Sequence, residues 1–337
     1  MKKKNRVVVI TGASAGVGRA TAIEFAKHGD RILLIARGRD GLEGAKRDVE
    51  EAGGEAWIYE ADVADASAME AAADYAEEHI GPIDIWINNA MVSVFSKAID
   101  MQPKEYDRVT KVTYLGQVYG TLAALHKMKP RNRGKIILIG SALSYRGIPL
   151  QSAYCAAKHA IQGFFESLRA ELFHDNIDID LSIVHLPAMN TTQFGWVKTR
   201  FDKKPKPMGK IFQPEVAARV VAEVAETGER LRMVGFSTVQ TVWGNKLVPE
   251  FLDHYMAKKG IEGQLTNEPE EENRQNNLWD PVPGDQGIYG GFGEQAQDYS
   301  VYDKLYDNRK SLALVAGAAV VGLLFSAFGS NNCKDKC

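Results

Sequence analysis

Apolar and polar positions along the chain change period in a regular way. Short apolar runs near residues 6–10, 31–36, 56–60, 83–87, 135–139, 179–184 and 231–234 alternate with longer stretches near 18–28, 40–52, 66–79, 103–128, 152–175 and 214–226. The first kind predicts strands and the second helices. Strands alternating with helices call for a parallel sheet covered on both faces, so the expected fold class is α/β and doubly wound, with about seven strands. Right-handed crossovers bring the strand tips to one edge, and with them Gly12, Asn89, Ser141 and Pro187.

The first strand runs straight into a glycine turn, Thr11-Gly12-Ala13-Ser14-Ala15-Gly16-Val17-Gly18, and a helical stretch follows from Arg19. Glycines at these positions permit a tight turn, close backbone approach to a diphosphate and close packing of helix on strand. The helix start presents unpaired N–H groups to an anion. By itself such a turn is equally a plain tight connection. Farther along, Tyr154 and Lys158 stand four residues apart, on one face of a helix. A free tyrosine has a pKa of about 10, and a nearby cation stabilises its phenolate. Ser141 follows the apolar run Ile136–Ile139 and Gly140, as a hydroxyl at a strand tip would. A lone Tyr-x-x-x-Lys pair is an ordinary solvated contact; beside the glycine turn and Ser141 it reads as a proton-transfer centre.

These motifs, with Asn88-Asn89-Ala90 between them, stand in the order and at the separations of the short-chain dehydrogenase/reductase family, which the chain resembles from about Arg6 to Val234. The resemblance implies a Rossmann-like domain that binds NAD or NADP and moves a hydride between nicotinamide and a carbonyl or alcohol. It gives Tyr154 the proton exchanged with the substrate oxygen. It has Lys158 hold the nicotinamide ribose and lower the tyrosine pKa, and Ser141 hydrogen-bond the substrate oxygen. It places Gly12, Ser14, Gly16, Val17 and Gly18 at the diphosphate, Asp62 and Val63 at the adenine, Asn89 and Ala90 along the cofactor, and Pro187 and Thr191 at the nicotinamide amide and phosphates. Two departures stand out. Thr113 occupies a position where the family has an asparagine, which puts the local helix kink in doubt, and Pro187-Ala188 replaces the frequent Pro-Gly.

The end of the second strand bears on cofactor choice. NAD-binding members place a carboxylate about twenty residues past the glycines, whereas here Ala36 offers none and Arg37 supplies a fixed cation suited to a 2′-phosphate, with Arg39 and Ser14 able to assist. NADP is the expected cofactor.

Composition narrows the alternatives. A chain of 337 residues, 45% hydrophobic, with a formal charge of −2, fits a globular protein without a nucleic-acid partner. Cys155, Cys333 and Cys337 are too few and scattered for a disulfide framework, which favours a reducing compartment. The seven histidines form no metal-spaced cluster, so no metal is expected. The apolar run after the basic N-terminus ends at Ile10, too short for a signal-peptide core.

The dehydrogenase domain is expected over residues 1–261. The basic segment 197–207 is either a solvated loop or a lid near an anionic surface or acidic substrate, and an aromatic-aliphatic helix from Phe236 to Tyr255 is expected to pack on the sheet edge, the alternative being that it lines the substrate entrance. Residues 262–310 carry eleven acidic and four basic residues with several prolines and glycines, and read as a linker or as a tail docked through Trp279, Tyr289, Phe292 and Tyr302. Leu312 to Gly329 holds eighteen uncharged residues, just enough for a helix of about 27 Å. It makes 311–330 a candidate transmembrane helix, followed by a polar terminus at 331–337, and the alternative is a buried helix or a homo-oligomer contact. The reading is a membrane-tethered reductase with its catalytic domain in the cytoplasm, acting on an apolar small-molecule carbonyl or alcohol such as a steroid, retinoid or fatty carbonyl. Its rivals are a non-catalytic NADP-binding scaffold or sensor, and a soluble cytoplasmic dehydrogenase whose tail mediates oligomerisation.

Overall fold

The computed structural model describes residues 5–309. The candidate span within 311–330, and the terminus at 331–337, lie outside the described residues. Seven strands form the central sheet: β1 (Val7–Thr11), β2 (Arg31–Ala36), β3 (Glu55–Glu60), β4 (Ile83–Asn88), β5 (Gly134–Ser141), β6 (Ile179–Leu186) and β7 (Leu231–Met233). All neighbours are parallel, in the order β7-β6-β5-β4-β1-β2-β3. Strand order reverses between β1 and β4, the switch point at which parallel sheets of this kind bind ligands.

Side chains alternate along each strand, so both faces need cover. Val7 and Val9 face α3 (Ala66–His79), α5 (Gly116–Met128) and α6 (Ser152–His174). Val8 and Ile10 face α1 (Gly16–Ala26), α2 (Arg39–Glu51) and α8 (Pro214–Thr227). The result is a Rossmann-like three-layer domain.

Two elements differ from the expectation. The stretch 103–128 is not one helix: α4 (Pro103–Val109) passes through a π-helical turn, Thr110–Leu115, before α5 begins. The buried Thr113 hydroxyl donates to the Val92 carbonyl at 2.8 Å and accepts from the Val92 N–H at 3.1 Å. The kink therefore persists without asparagine, because a hydroxyl can satisfy both backbone groups of Val92. The Phe236–Tyr255 stretch is two helices, α9 (Gly235–Leu247) and α10 (Pro249–Lys259), since Pro249 cannot continue a helix. Only part of it packs inward: Val242 is buried, while Phe236, Trp243, Leu247 and Phe251 are exposed.

The short helix α7 (Gln193–Trp196) opens the basic loop, whose charges are largely paired. Lys198 and Arg200 both reach the buried Glu105 at 2.8 Å, and Lys204 reaches Glu268 at 3.1 Å. Lys203–Pro205 then pairs antiparallel with Leu265–Pro269. The following segment lies against the domain, with Leu278 fully buried in the core and the Gln297 N–H donating to the Ile211 carbonyl at 3.0 Å. A second compact unit begins at Ser300 and contains α11 (Val301–Asp307), capped by the Ser300 hydroxyl. Among the described residues no helix is long and apolar enough to cross a membrane.

Candidate active site

The strand tips open on a cleft of about 530 Å³. Its nucleotide end rests on the glycine turn, where Gly12 and Gly16 adopt φ of 66° and 54° that side chains rarely tolerate. Gly12, Ser14, Gly16, Val17, Arg37, Asp62, Val63, Asn89, Ala90, Ser141, Tyr154, Lys158, Pro187 and Thr191 all line it. Gly18 does not; a side chain there would meet the Gly12 carbonyl and, at 2.5 Å, Asn89 Nδ2, so its role is to let α1 lie close on β1. Arg39 also stays outside, paired with Glu60 at 3.1 Å and Glu43 at 3.4 Å.

The reactive side chains come from two elements. Ser141 ends β5, and its hydroxyl accepts from the Leu143 N–H at 3.1 Å. Tyr154 and Lys158 lie on the first turns of α6, with Lys158 Nζ 5.6 Å from the Tyr154 ring centre. Lys158 is 1% exposed and donates to the Ile139 carbonyl at 2.6 Å. That carbonyl also accepts from Gln117 Nε2 at 3.1 Å, which ties α5 to the same point.

Burial dominates the electrostatics. It pushes the Tyr154 phenol well above its ordinary value, and the hydrogen bond to Ser141 opposes this only in part. It draws Lys158 down to about 7. Burial, not the lysine, sets the direction of the Tyr154 shift, and Lys158 is itself desolvated with one of its three donors on a carbonyl. His185 behind Ser141 is drawn by burial to about 3 and is neutral. Its Nδ1 lies 3.1 Å from the Ser141 carbonyl, which can only accept, so that nitrogen carries the proton and Nε2 faces the Tyr145 hydroxyl at 3.5 Å.

At the other end, Asp62 accepts from Arg108 at 2.6 Å and from the Ala64 N–H at 3.0 Å. Arg37 donates to the carbonyls of Asn277 at 2.6 Å and Trp279 at 2.7 Å, and no carboxylate lies within ion-pair distance of it among the described residues. Desolvation and the nearby Arg108 lower its pKa, and the more distant carboxylates of Asp62 and Asp280 oppose this only in part.

Residues 6–200 match the sequence model of the short chain dehydrogenase family. The chain belongs to that family. It is 30% identical to the uncharacterized oxidoreductase YxnA of Bacillus subtilis over 96% of this chain and 90% of that one. It is 32% identical to a 3-dehydrosphinganine reductase of Danio rerio over 68% of this chain and 70% of the other. Among solved structures it resembles an alcohol dehydrogenase of Thermococcus sibiricus complexed with 5-hydroxy-NADP, at 26% identity and a TM-score of 0.59, covering 68% of this chain and 94% of that one. A metagenomic short-chain oxidoreductase in complex with NADP gives 27% identity and a TM-score of 0.58 over 68% and 96%. The chain is therefore an NAD(P)-dependent oxidoreductase of the CH–OH/carbonyl type.

Several residues of this short-chain dehydrogenase site were not legible as such. Gln117 and His185 sit on a helix and a strand with no motif to mark them, and Asn277, Pro281, Val282, Gly284 and Gln286, more than a hundred residues past Lys158, form one wall of the cleft. Arg146 lines the opposite end, bonded to Asn245 at 3.1 Å and Asp253 at 2.6 Å.

Burying Lys158 has a consequence for stability. With a folded pKa near 7 and an ordinary value of 10.5, the unfolded chain binds the extra proton between those limits, so this group makes stability rise with pH across that window. Lys158→Met is expected to raise the melting midpoint at or below pH 7 by roughly 5 °C and to have little effect near pH 10.5. Calorimetry across pH checks this, and a midpoint lowered at pH 7 contradicts it.

Proposed function

We propose that the chain is an NADP-dependent reductase or dehydrogenase for an apolar carbonyl or alcohol of the steroid, retinoid or fatty carbonyl class, tethered to a membrane through residues 312–329. The observation that carries this reading is that Ser141, Tyr154 and Lys158 share one cleft with Gly12, Gly16 and Arg37. The residues fit a dinucleotide: the cleft lies in the size range of small-molecule sites, its turn carries glycine at 12 and 16 where backbone can approach a diphosphate closely, and Arg37 offers spare donors to a 2′-phosphate. The NADP-type ligands of two structural neighbours support the same choice.

When bound, the nicotinamide supplies or accepts the hydride. The chain's own part is proton chemistry. Ser141 orients the substrate oxygen with its hydroxyl. Tyr154, kept protonated by burial, gives its phenolic proton to that oxygen in reduction and takes it back in oxidation. Lys158 in its ammonium form stabilises the phenolate that is left. Asn89, Ala90, Pro187 and Thr191 hold the cofactor along the cleft, and Asp62 and Val63 its adenine end.

The substrate end favours an apolar molecule, since Leu143, Ile148, Phe194, Trp196, Met208 and Met256 line it. The likeness to a 3-dehydrosphinganine reductase favours fatty carbonyls within that class. The tether rests on the eighteen uncharged residues after Ser311.

Three measurements test the reading. Tyr154→Phe should lower kcat for NADPH-dependent carbonyl reduction by about 10²–10⁴ while NADPH still binds; unchanged turnover contradicts it. Arg37→Ala should weaken NADPH about tenfold or more and leave NADH within about twofold, because only the former carries the 2′-phosphate; equal losses point away from that role. Alkaline carbonate extraction of membranes from cells making the full chain should leave it in the pellet, and full recovery in the supernatant removes the tether.

A further inference from the structure

The wall formed by the carboxyl-terminal segment is built into the domain at both of its ends. At one end Arg274 donates to the carbonyls of Phe194 at 2.9 Å and Val197 at 2.5 Å, and Leu278 is fully buried with its carbonyl accepting from Arg108 Nε at 2.8 Å. At the other, Tyr289 bridges to Thr191 and the Phe292 N–H donates to Asn190 at 3.0 Å. Between these anchors the segment crosses the nucleotide end. The Gly284 N–H donates to Asp40 at 2.9 Å, and Asp285 forms an ion pair with Arg19 of α1 and lies 3.7 Å from Arg47. The Gly287 carbonyl accepts from the N–H of Gly16 in the glycine turn at 3.2 Å.

The segment also touches two groups that the NADP reading assigns to phosphate, Arg37 and the N–H of Gly16. Arg37 has five N–H donors, and the segment's carbonyls at 277 and 279 fix the guanidinium while leaving donors free. Two neutral carbonyls set its direction but do not neutralise it. Gly16 opens α1, where helix N–H groups attract anions. A surface-docked tail has no reason to engage both places; a component of the nucleotide site does.

We propose that residues 277–287 are a further cofactor-binding element of this enzyme: a strap that closes the nucleotide end of the cleft, aims Arg37 at the 2′-phosphate, and is latched on Arg19 by Asp285. The proposal rests on the reading of the cleft as an NADP site. It follows that the dinucleotide enters and leaves only when the strap lifts, so loosening the latch accelerates exchange in both directions, whereas loss of a simple contact accelerates release alone.

Stopped-flow fluorescence of NADPH with the full chain tests this. Asp285→Asn should raise the association and dissociation rate constants together, each about tenfold, the equivalent of one charge-assisted hydrogen bond. A second variant needs no weakened contact. A Cβ on Gly38 would lie 3.1 Å from Cβ of Pro281, so Gly38→Cys with Pro281→Cys, in a chain with Cys333 and Cys337 replaced by serine, can form a bond across the strap. Oxidised, it should slow NADPH exchange by about a hundredfold or more, and a reductant should restore it. Wild-type exchange rates in both variants, with NADPH still bound, overturn the strap and leave the NADP reading standing. A wild-type chain that binds no NADPH overturns both.

Discussion

The site depends on how closely the end of β1 approaches the end of β4. Asn89 Nδ2 donates to the carbonyls of both Thr11 and Gly12 at 3.1 Å, and the Thr11 hydroxyl accepts from the backbone of Asn89 and Ala90. This stitching works only because position 12 carries no side chain: a Cβ there would stand 2.7 Å from Ala90 Cα. Position 18 is constrained in the same way by the Gly12 carbonyl. The adjacent tips of β1 and β4 are thus fixed before any ligand arrives, and the floor of the cleft inherits their rigidity. Asn89 serves the fold first, and lines the cleft as a result.

A second layer of constraint sets the proton chemistry. Ile139 cannot move without disturbing both Lys158 and Gln117, nor Ser141 without disturbing His185. Thr113 fastens the π-helical turn to Val92, and so holds the start of α5, from which Gln117 projects. Tyr154, Lys158 and His185 are buried here, and burial shifts each toward its neutral form. The buried lysine is destabilising while charged, a cost consistent with the proton-transfer role proposed for it beside Tyr154.

The strands and most of the helices were legible because each depends on local pattern, β-branched runs and glycines at fixed offsets, and the same reading put the Tyr–Lys pair one helical turn apart in the cleft that Ser141 lines. The break in 103–128 was not legible, since it is held by the tertiary bond of Thr113 to Val92, which no local pattern announces. The burial of the tyrosine and lysine was out of reach for a related reason. Proximity of Lys158 can be read from spacing, but its desolvation depends on everything packed around it. The fate of Arg37 lay farther still from sequence reach, because its partners Asn277 and Trp279 stand 240 and 242 residues away. Acidic, glycine-rich composition describes how such a segment behaves when free, and Leu278 shows why it is not free: one fully buried apolar side chain, framed by Arg108 and Arg37, pins it to the core.

The two ends of the cleft are each fastened by an ion pair beside apolar contacts. At the nucleotide end the fastenings include backbone hydrogen bonds and the Arg19–Asp285 pair. At the substrate end α9 and α10 are clamped to the loop after β5 by Arg146, yet Tyr255 and Met256 face the cleft while Trp243, Leu247 and Phe251 remain in solvent. Ion pairs weaken with salt, whereas buried apolar contacts do not, so both fastenings are sensitive to ionic strength only in part.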